Sequence, residues 1–117
     1  MKRIISAFHN SVAAFQHLAG HEKAFQQELA VLVLGVPIAF LISPDPLIRF
    51  ILIAAIVFVM IVEVLNTGIE AACNALSREF NADIKIAKDC GSLAVLAAIG
   101  LGGSVWLLAL WAYLIER

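Results

Sequence analysis

The chain has 117 residues, of which 62% are hydrophobic, and its formal net charge is −1. An ordinary soluble domain is only about 45–50% apolar, and a chain this short has too much surface to bury so many apolar side chains in water. The composition therefore favours a single-domain membrane protein, and the near-neutral charge argues against a nucleic-acid partner.

The first predicted element is an amphipathic helix over residues 2–21. Ile4, Phe8, Phe15 and Leu18 recur at three- and four-residue spacing, which places them on one face of a helix. We expect this helix to lie along the cytoplasmic surface of the membrane. Packing against other helices explains the same pattern equally well.

The sequence also predicts whether the chain has a cleavable signal peptide and whether its two cysteines form a disulfide. Lys2 and Arg3 form a basic start, but residues 9–11 are polar and interrupt the apolar stretch, so we expect no cleavable signal peptide. Cys73 and Cys90 form no CxxC pair. Their position in or beside a charged segment favours free cytoplasmic thiols over a disulfide.

Three uncharged apolar runs follow, over 29–42, 50–62 and 93–115. A transmembrane helix needs about 20 residues, with about 17 as the lower bound. The third run is long enough alone, and the first two qualify if their polar ends lie in the interface or in a protein-lined site. We predict membrane spans over 27–43, 47–70 (continuing to about 78 in the cytoplasm) and 90–115.

The link between the first two spans is short and predicts an antiparallel hairpin. Pro44 cannot continue the first helix, whereas Asp45 suits the N-cap and Pro46 the first position of the next helix.

The basic residues predict the orientation of the chain in the membrane, because Lys and Arg concentrate on the cytoplasmic side. They cluster before span one and between spans two and three, so we expect a cytoplasmic N-terminus and a C-terminus outside.

A polar stripe on the second span is the strongest functional feature. Glu63, Asn66, Thr67, Glu70 and Asn74 share one helical face within an otherwise apolar stretch. Asparagine and threonine alone could simply join helices by hydrogen bonds. Two ionisable groups at membrane depth cost a few kcal/mol each and mark functional sites, so we favour a chemical role such as a general base.

Other polar groups give weaker indications. Lys88 lies at the start of the third span, at the same cytoplasmic level as Glu70, where it could contact phosphate. A lysine at a membrane surface usually only extends its ammonium into water. Glu22 and Glu28 are explained equally well by a solvated helix start. His17 and His21 have no third strong ligand and are expected to be surface residues.

Two groups of residues in the third span predict structural features, namely helix packing and contact with the membrane interface. Ala94, Ala98 and Gly102 recur every fourth residue and predict close helix packing. Trp106 and Trp111 suit an aromatic belt at the outer interface, or a deeper position in the case of Trp106.

These motifs together resemble the bacterial membrane diacylglycerol kinases. The resemblance covers nearly the whole chain in order and spacing, and it rests on Glu63-x-Leu65-Asn66-Thr67-x-Ile69-Glu70, Ala87-Lys88-Asp89, Glu22-x-Ala24-Phe25-x-Gln27-Glu28 and Arg3-Ile4-Ile5. It implies an all-α integral membrane kinase of the bacterial inner membrane, with three transmembrane helices and an N-terminal surface helix in a homotrimer. Its reaction would transfer the γ-phosphoryl of MgATP to diacylglycerol, giving phosphatidic acid.

The resemblance also implies roles for individual residues. Glu63 would be the general base, with Asn66 beside it at the lipid, and Glu22 and Glu70 would bind Mg²⁺ and the nucleotide. Lys88 and Asp89 would bind ATP. Further matches assign Arg3 and Trp106 to the lipid, and Asn10, Gln27 and Glu28 to the nucleotide. The sites would be shared between neighbouring subunits.

The chain departs from the family pattern at two places. Gly68 stands where Ser or Ala is usual, and Cys73-Asn74 stands where Val-Asp is usual. Related members phosphorylate undecaprenol, although the segment from Glu22 to Glu28 is more similar to the diacylglycerol type.

Two interpretations from other classes stay open at this point. One is a small cation-coupled transporter in which Glu63 binds proton and substrate alternately, although such transporters usually need four spans. The other is a non-catalytic assembly subunit.

Overall fold

The computed structural model describes residues 1–116, and those residues form four α-helices. They are α1 (Lys2–His21), α2 (Lys23–Ile42), α3 (Pro46–Leu76) and α4 (Ala82–Glu116). Helices α2, α3 and α4 are each long and apolar enough to cross a membrane. This confirms the predicted all-α chain with three helices of membrane-spanning length.

The hairpin between α2 and α3 is held by local side chains. Asp45 caps α3, accepting a hydrogen bond from the Leu47 amide at 2.9 Å, and Pro46 occupies the first helical turn, which confirms the predicted cap. The Arg49 side chain of α3 also contacts the link formed by residues 43–45, because its Nε donates a hydrogen bond to the Ser43 carbonyl oxygen at 2.6 Å. These contacts set two apolar helices antiparallel with only three residues between them.

The charged segment after α3 is mostly helical. Only residues 77–81 lie outside the helices, and α4 begins at Ala82, where its backbone amides are capped by Asn81. Helix α4 has 35 residues, so it is about 50 Å long and exceeds the roughly 30 Å hydrocarbon core. Its first two turns therefore carry Lys85, Lys88 and Asp89 as an extension of the predicted third span.

Small residues allow α4 to approach α3 closely. Ala98 and Gly102 are buried, and a side chain at Gly102 would meet the Ala55 carbonyl oxygen at 3.3 Å. The predicted packing repeat is wrong at Ala94, which is exposed, and Gly91 is buried instead. The interface therefore uses residues 91, 98 and 102, whose seven- and four-residue steps keep them on one face of α4.

Helix α1 docks through its last turns only. Leu18 packs with Phe25, Ile56 and Met60 in the core cluster, while Ile4 and Phe8 are each 67% exposed. The first half of α1 thus presents apolar side chains outward. Its placement on a membrane surface stays a prediction.

Candidate active site

Two side-chain pairs, one helical turn apart, form the polar stripe of α3. The Thr67 hydroxyl lies 3.4 Å from Oε2 of Glu63 and 3.0 Å from the Glu63 carbonyl oxygen. The Asn66 amide donates to Oε1 of Glu70 at 3.3 Å. Glu63 is partly buried and Glu70 is exposed. The stripe therefore runs from a shielded carboxylate to an open one, about 10 Å along the axis.

Gly91 leaves the space that Asn66 occupies. A Cβ atom at Gly91 would overlap Oδ1 of Asn66 and lie 3.1 Å from its Cγ. Asn66 is only 9% exposed, and its Oδ1 has no hydrogen-bond partner among the described residues. The Oδ1 side of the Asn66 amide thus packs against the α4 backbone at Gly91. Its Nδ2 donates a hydrogen bond to the Glu70 carboxylate.

A polar cavity of about 420 Å³ opens between the end of α1 and the second half of α3, and Glu22, Thr67, Glu70 and Asn74 contribute to its walls. Glu22 reaches it because the backbone is extended at this residue, which separates α1 from α2. The structure therefore brings together the two carboxylates that the resemblance assigns to the metal, although 48 positions separate them in sequence.

These carboxylates fit a magnesium ion that travels with a nucleotide. Within residues 1–116, no three His, Cys, Asp or Glu side chains are grouped so that they could hold a metal ion alone. Magnesium usually keeps several waters and takes only one or two carboxylates together with substrate phosphates. Glu22 and Glu70 match that donor set.

Lys88 and Asp89 face different neighbours. The Lys88 ammonium donates to Oδ1 of Asn74 at 2.9 Å, bridging α4 to the wall of the polar cavity. Asp89 instead pairs with Lys85 at 2.6 Å on the exposed side of α4. Of this pair, Lys88 contacts a residue of the cavity wall without lining the cavity itself, and Asp89 does neither among the described residues.

A second cavity, the apolar groove, lies among α2, α3 and α4 and measures about 580 Å³. Gly35, Ile56 and Trp106 line its walls, and Gln27 and Glu28 line it near the start of α2. Oε1 of Glu28 is buried without a hydrogen-bond partner in the described residues. Glu28 also lies within electrostatic range of Glu63, which itself lines neither cavity.

Comparison with known proteins now identifies the family. The family model for prokaryotic diacylglycerol kinases matches residues 9–110. The diacylglycerol kinase of Escherichia coli is 38% identical over 111 residues, covering 95% of this chain and 91% of that protein. The diacylglycerol kinase of Pseudomonas aeruginosa is 36% identical over 106 residues, with 91% and 86% covered. The chain belongs to the prokaryotic diacylglycerol kinase family.

In this family member, Trp106 forms part of the wall of the apolar groove. Its indole Nε1 donates to the Leu52 carbonyl of α3 at 2.9 Å, and its ring borders the apolar groove. Trp111 is 65% exposed. Trp106 therefore packs against α3, and its depth in a membrane stays a prediction.

Arg3 and Asn10 are exposed on the first half of α1 and do not line the polar cavity or the groove of this kinase-family chain. Sequence reasoning missed two residues that do reach the site. His17 borders the polar cavity, and Gly91 touches Asn66. Neither position shows its role in sequence, because both depend on how one helix approaches another.

Proposed function

We propose that this protein transfers the γ-phosphoryl group of MgATP to the primary hydroxyl of diacylglycerol, giving phosphatidic acid and ADP. The observation that carries this proposal is the placement of three glutamates. Glu22 and Glu70 face one polar cavity. Glu63 lies two turns from Glu70 on the same helix, between the α3 residues that line this cavity and those that line the apolar groove. This order suits a reaction between a water-soluble phosphate donor and a membrane-bound alcohol.

The polar cavity would hold the nucleotide. Glu22 and Glu70 would bind the metal of MgATP, and the Lys88 ammonium would contact phosphate oxygens. Magnesium bound there would neutralise charge on the phosphates, which is a main requirement of phosphoryl transfer. The protein side chains supply position and charge, while Asn66 holds the Glu70 carboxylate through its amide.

Glu63 would act as the general base. Its carboxylate would accept the proton of the lipid hydroxyl as the hydroxyl oxygen forms a bond to the γ-phosphorus. The bond from that phosphorus to the β,γ-bridging oxygen breaks, and ADP leaves with the electron pair. Thr67, whose hydroxyl lies 3.4 Å from the Glu63 carboxylate, would orient it toward the lipid hydroxyl.

The apolar groove would hold the acyl part of the lipid. Its walls are largely aliphatic and aromatic, with Trp106 held in place by Leu52. An apolar chain in this groove would remain in contact with the surrounding membrane while its hydroxyl end lies near Glu28 and Glu63. Gln27 and Glu28, at the mouth, would adjoin the transferred phosphate.

We further propose that three copies share their sites in the bacterial inner membrane. Large apolar side chains remain exposed on all three spanning helices, including Leu65 at 64% and Leu108 at 70%. Helix packing in a trimer would cover part of this surface. Arg3, Asn10 and Asp89 could then reach a neighbouring subunit's site. The N-terminus and the 77–81 link would be cytoplasmic and the C-terminus outside.

The first test measures phosphate transfer from labelled MgATP in mixed micelles to diacylglycerol and to undecaprenol, side by side. We expect labelled phosphatidic acid, and loss of most transfer in Glu70→Gln, with partial recovery at high Mg²⁺. Preferred labelling of undecaprenol would reassign the acceptor. No ATP-dependent labelling of either lipid would refute the kinase proposal and favour the transporter.

A further inference from the structure

We propose that Gly103 determines which acyl chains the apolar groove accepts, by leaving the far part of the groove open to a long chain. This inference rests on the proposed function, in which the groove holds an acyl chain of diacylglycerol. Gly103 lines the groove on α4, and a Cβ atom at this position would meet nothing within 4 Å. The space that a side chain would fill there is therefore free for a lipid chain.

The neighbours of Gly103 on α4 indicate that this space belongs to the groove. Ile99 precedes Gly103 by four positions, Trp106 follows it by three, and both line the groove. These spacings place the three residues on one face of α4. A side chain at position 103 would therefore project between Ile99 and Trp106. At Gly102, in contrast, a Cβ atom would meet the Ala55 carbonyl oxygen of α3 at 3.3 Å, so that glycine serves helix packing.

The groove has one polar end, which gives a bound amphiphile a single orientation. Gln27 and Glu28 line it near the start of α2, and its other lining residues are aliphatic, aromatic or glycine. Oε1 of Glu28 is buried without a hydrogen-bond partner among the described residues, so it is available to accept from a lipid hydroxyl. An acyl chain would then extend from Glu28 toward Trp106.

The length and openness of the groove suit a chain that enters from the surrounding bilayer. Its α2 wall runs over residues 24–38, or about 21 Å along the helix axis, which is longer than one half of the roughly 30 Å hydrocarbon core. Helices α2 and α4 pack mainly on α3 and only slightly on each other. Val31 and Ile99, on opposite walls, are 54% and 50% exposed. A chain in the groove thus remains accessible from the membrane side.

Gly103 lies far enough from the polar end to distinguish long chains from short ones. The residue before it packs against Ala55 of α3, and the next residue of α3, Ile56, faces Gly35 of α2. Gly103 and Gly35 therefore lie at a similar level. Gly35 is seven residues beyond Glu28, which is about 10 Å along α2. A chain that ends before this level would not meet a side chain introduced at position 103.

The test compares Gly103→Phe with Gly100→Phe, using dioleoylglycerol and dihexanoylglycerol as acceptors. We expect Gly103→Phe to lower kcat/KM for dioleoylglycerol at least tenfold and to leave the value for dihexanoylglycerol within about twofold of wild type. Gly103→Ala fills less of the groove and should have a smaller effect on dioleoylglycerol. An equal loss with both acceptors overturns the inference.

Gly100→Phe is the matched control. Gly100 lies one turn from Gly103 on α4, has nothing within 4 Å of its Cβ position and is not among the residues that line the groove. Both phenylalanine variants replace glycine with a better helix former, so a weaker helix does not explain a loss confined to the long-chain acceptor. Equal kinetics of the two variants overturns the inference.

Photo-crosslinking separates this inference from the proposed function, because it requires no phosphate transfer. The probe is a diacylglycerol that carries a diazirine in the outer half of one long acyl chain. Labelling of residues 99–106 in wild type, lost in Gly103→Phe and kept in Gly100→Phe, supports the role of Gly103 even if MgATP yields no product. Labelling confined to other helix faces overturns it, as does labelling that Gly103→Phe retains. A changed oligomeric state of Gly103→Phe with no labelling of the groove would assign the groove to a second copy of the chain and also overturns it.

Discussion

The two cavities of this protein differ in composition and in the way they form, yet they share one helix. The apolar groove uses residues 55–59 of α3, and the polar cavity uses residues 64–74. Glu63 lies between these two stretches. A single continuous helix therefore passes from an environment suited to acyl chains to one suited to phosphates, and the proposed base stands at the boundary.

The cavities also depend on different backbone features. Gly35 and Gly102 lie in the wall of the groove, and a side chain on Gly35 would meet Cδ1 of Ile56 at 2.6 Å. The polar cavity depends on the break between α1 and α2 at Glu22. Substitutions should therefore affect the lipid and the nucleotide separately, except at the boundary.

The largest effect is expected at the boundary itself. Glu63→Gln removes the proposed proton acceptor but keeps a similar shape, so kcat should fall by about 1,000-fold while both KM values change little. Kinetics with each substrate varied in turn would measure this. Glu79→Gln, in the exposed link, is the control. A loss of less than tenfold would remove Glu63 from the base role.

A smaller effect is expected from Gly91→Ala, which should affect the polar cavity and leave the apolar groove unchanged. The new methyl group would displace the Asn66 amide and disturb its bond to Glu70, lowering kcat by roughly 10- to 100-fold. Gly100→Ala is the control, because nothing lies within 4 Å of that position. Alanine favours a helix over glycine by about 1 kcal/mol, so a weaker helix cannot explain the loss. Equal activity of the two variants would contradict the prediction.

The smallest effect is expected from Trp106→Phe, which acts on the groove. It removes the indole bond to the Leu52 carbonyl and should raise KM for diacylglycerol about threefold, without changing KM for MgATP. Trp111→Phe, at an exposed position, should match wild type. A change in MgATP affinity instead would show that the two cavities are not independent.

Much of the fold and part of the site could be predicted from local pattern. Apolar run length predicts the three spanning helices, and Asp45 with Pro46 predicts the start of α3. The face shared by Glu63, Asn66 and Glu70 follows from helix periodicity. The charged start of α4 was harder to place, because Lys85, Lys88 and Asp89 are compatible with either a link or a helix.

The sequence by itself therefore determined which side chains share a helical face, because helical periodicity and capping act within a few residues. Only the tertiary structure decided which faces meet. It brought Glu22 to Glu70, Lys88 to Asn74, and Gly91 rather than Ala94 against α3. Helix α4 is apolar over most of its circumference, so pattern alone does not specify its rotation. That rotation is set by close packing of small residues against the neighbouring helix.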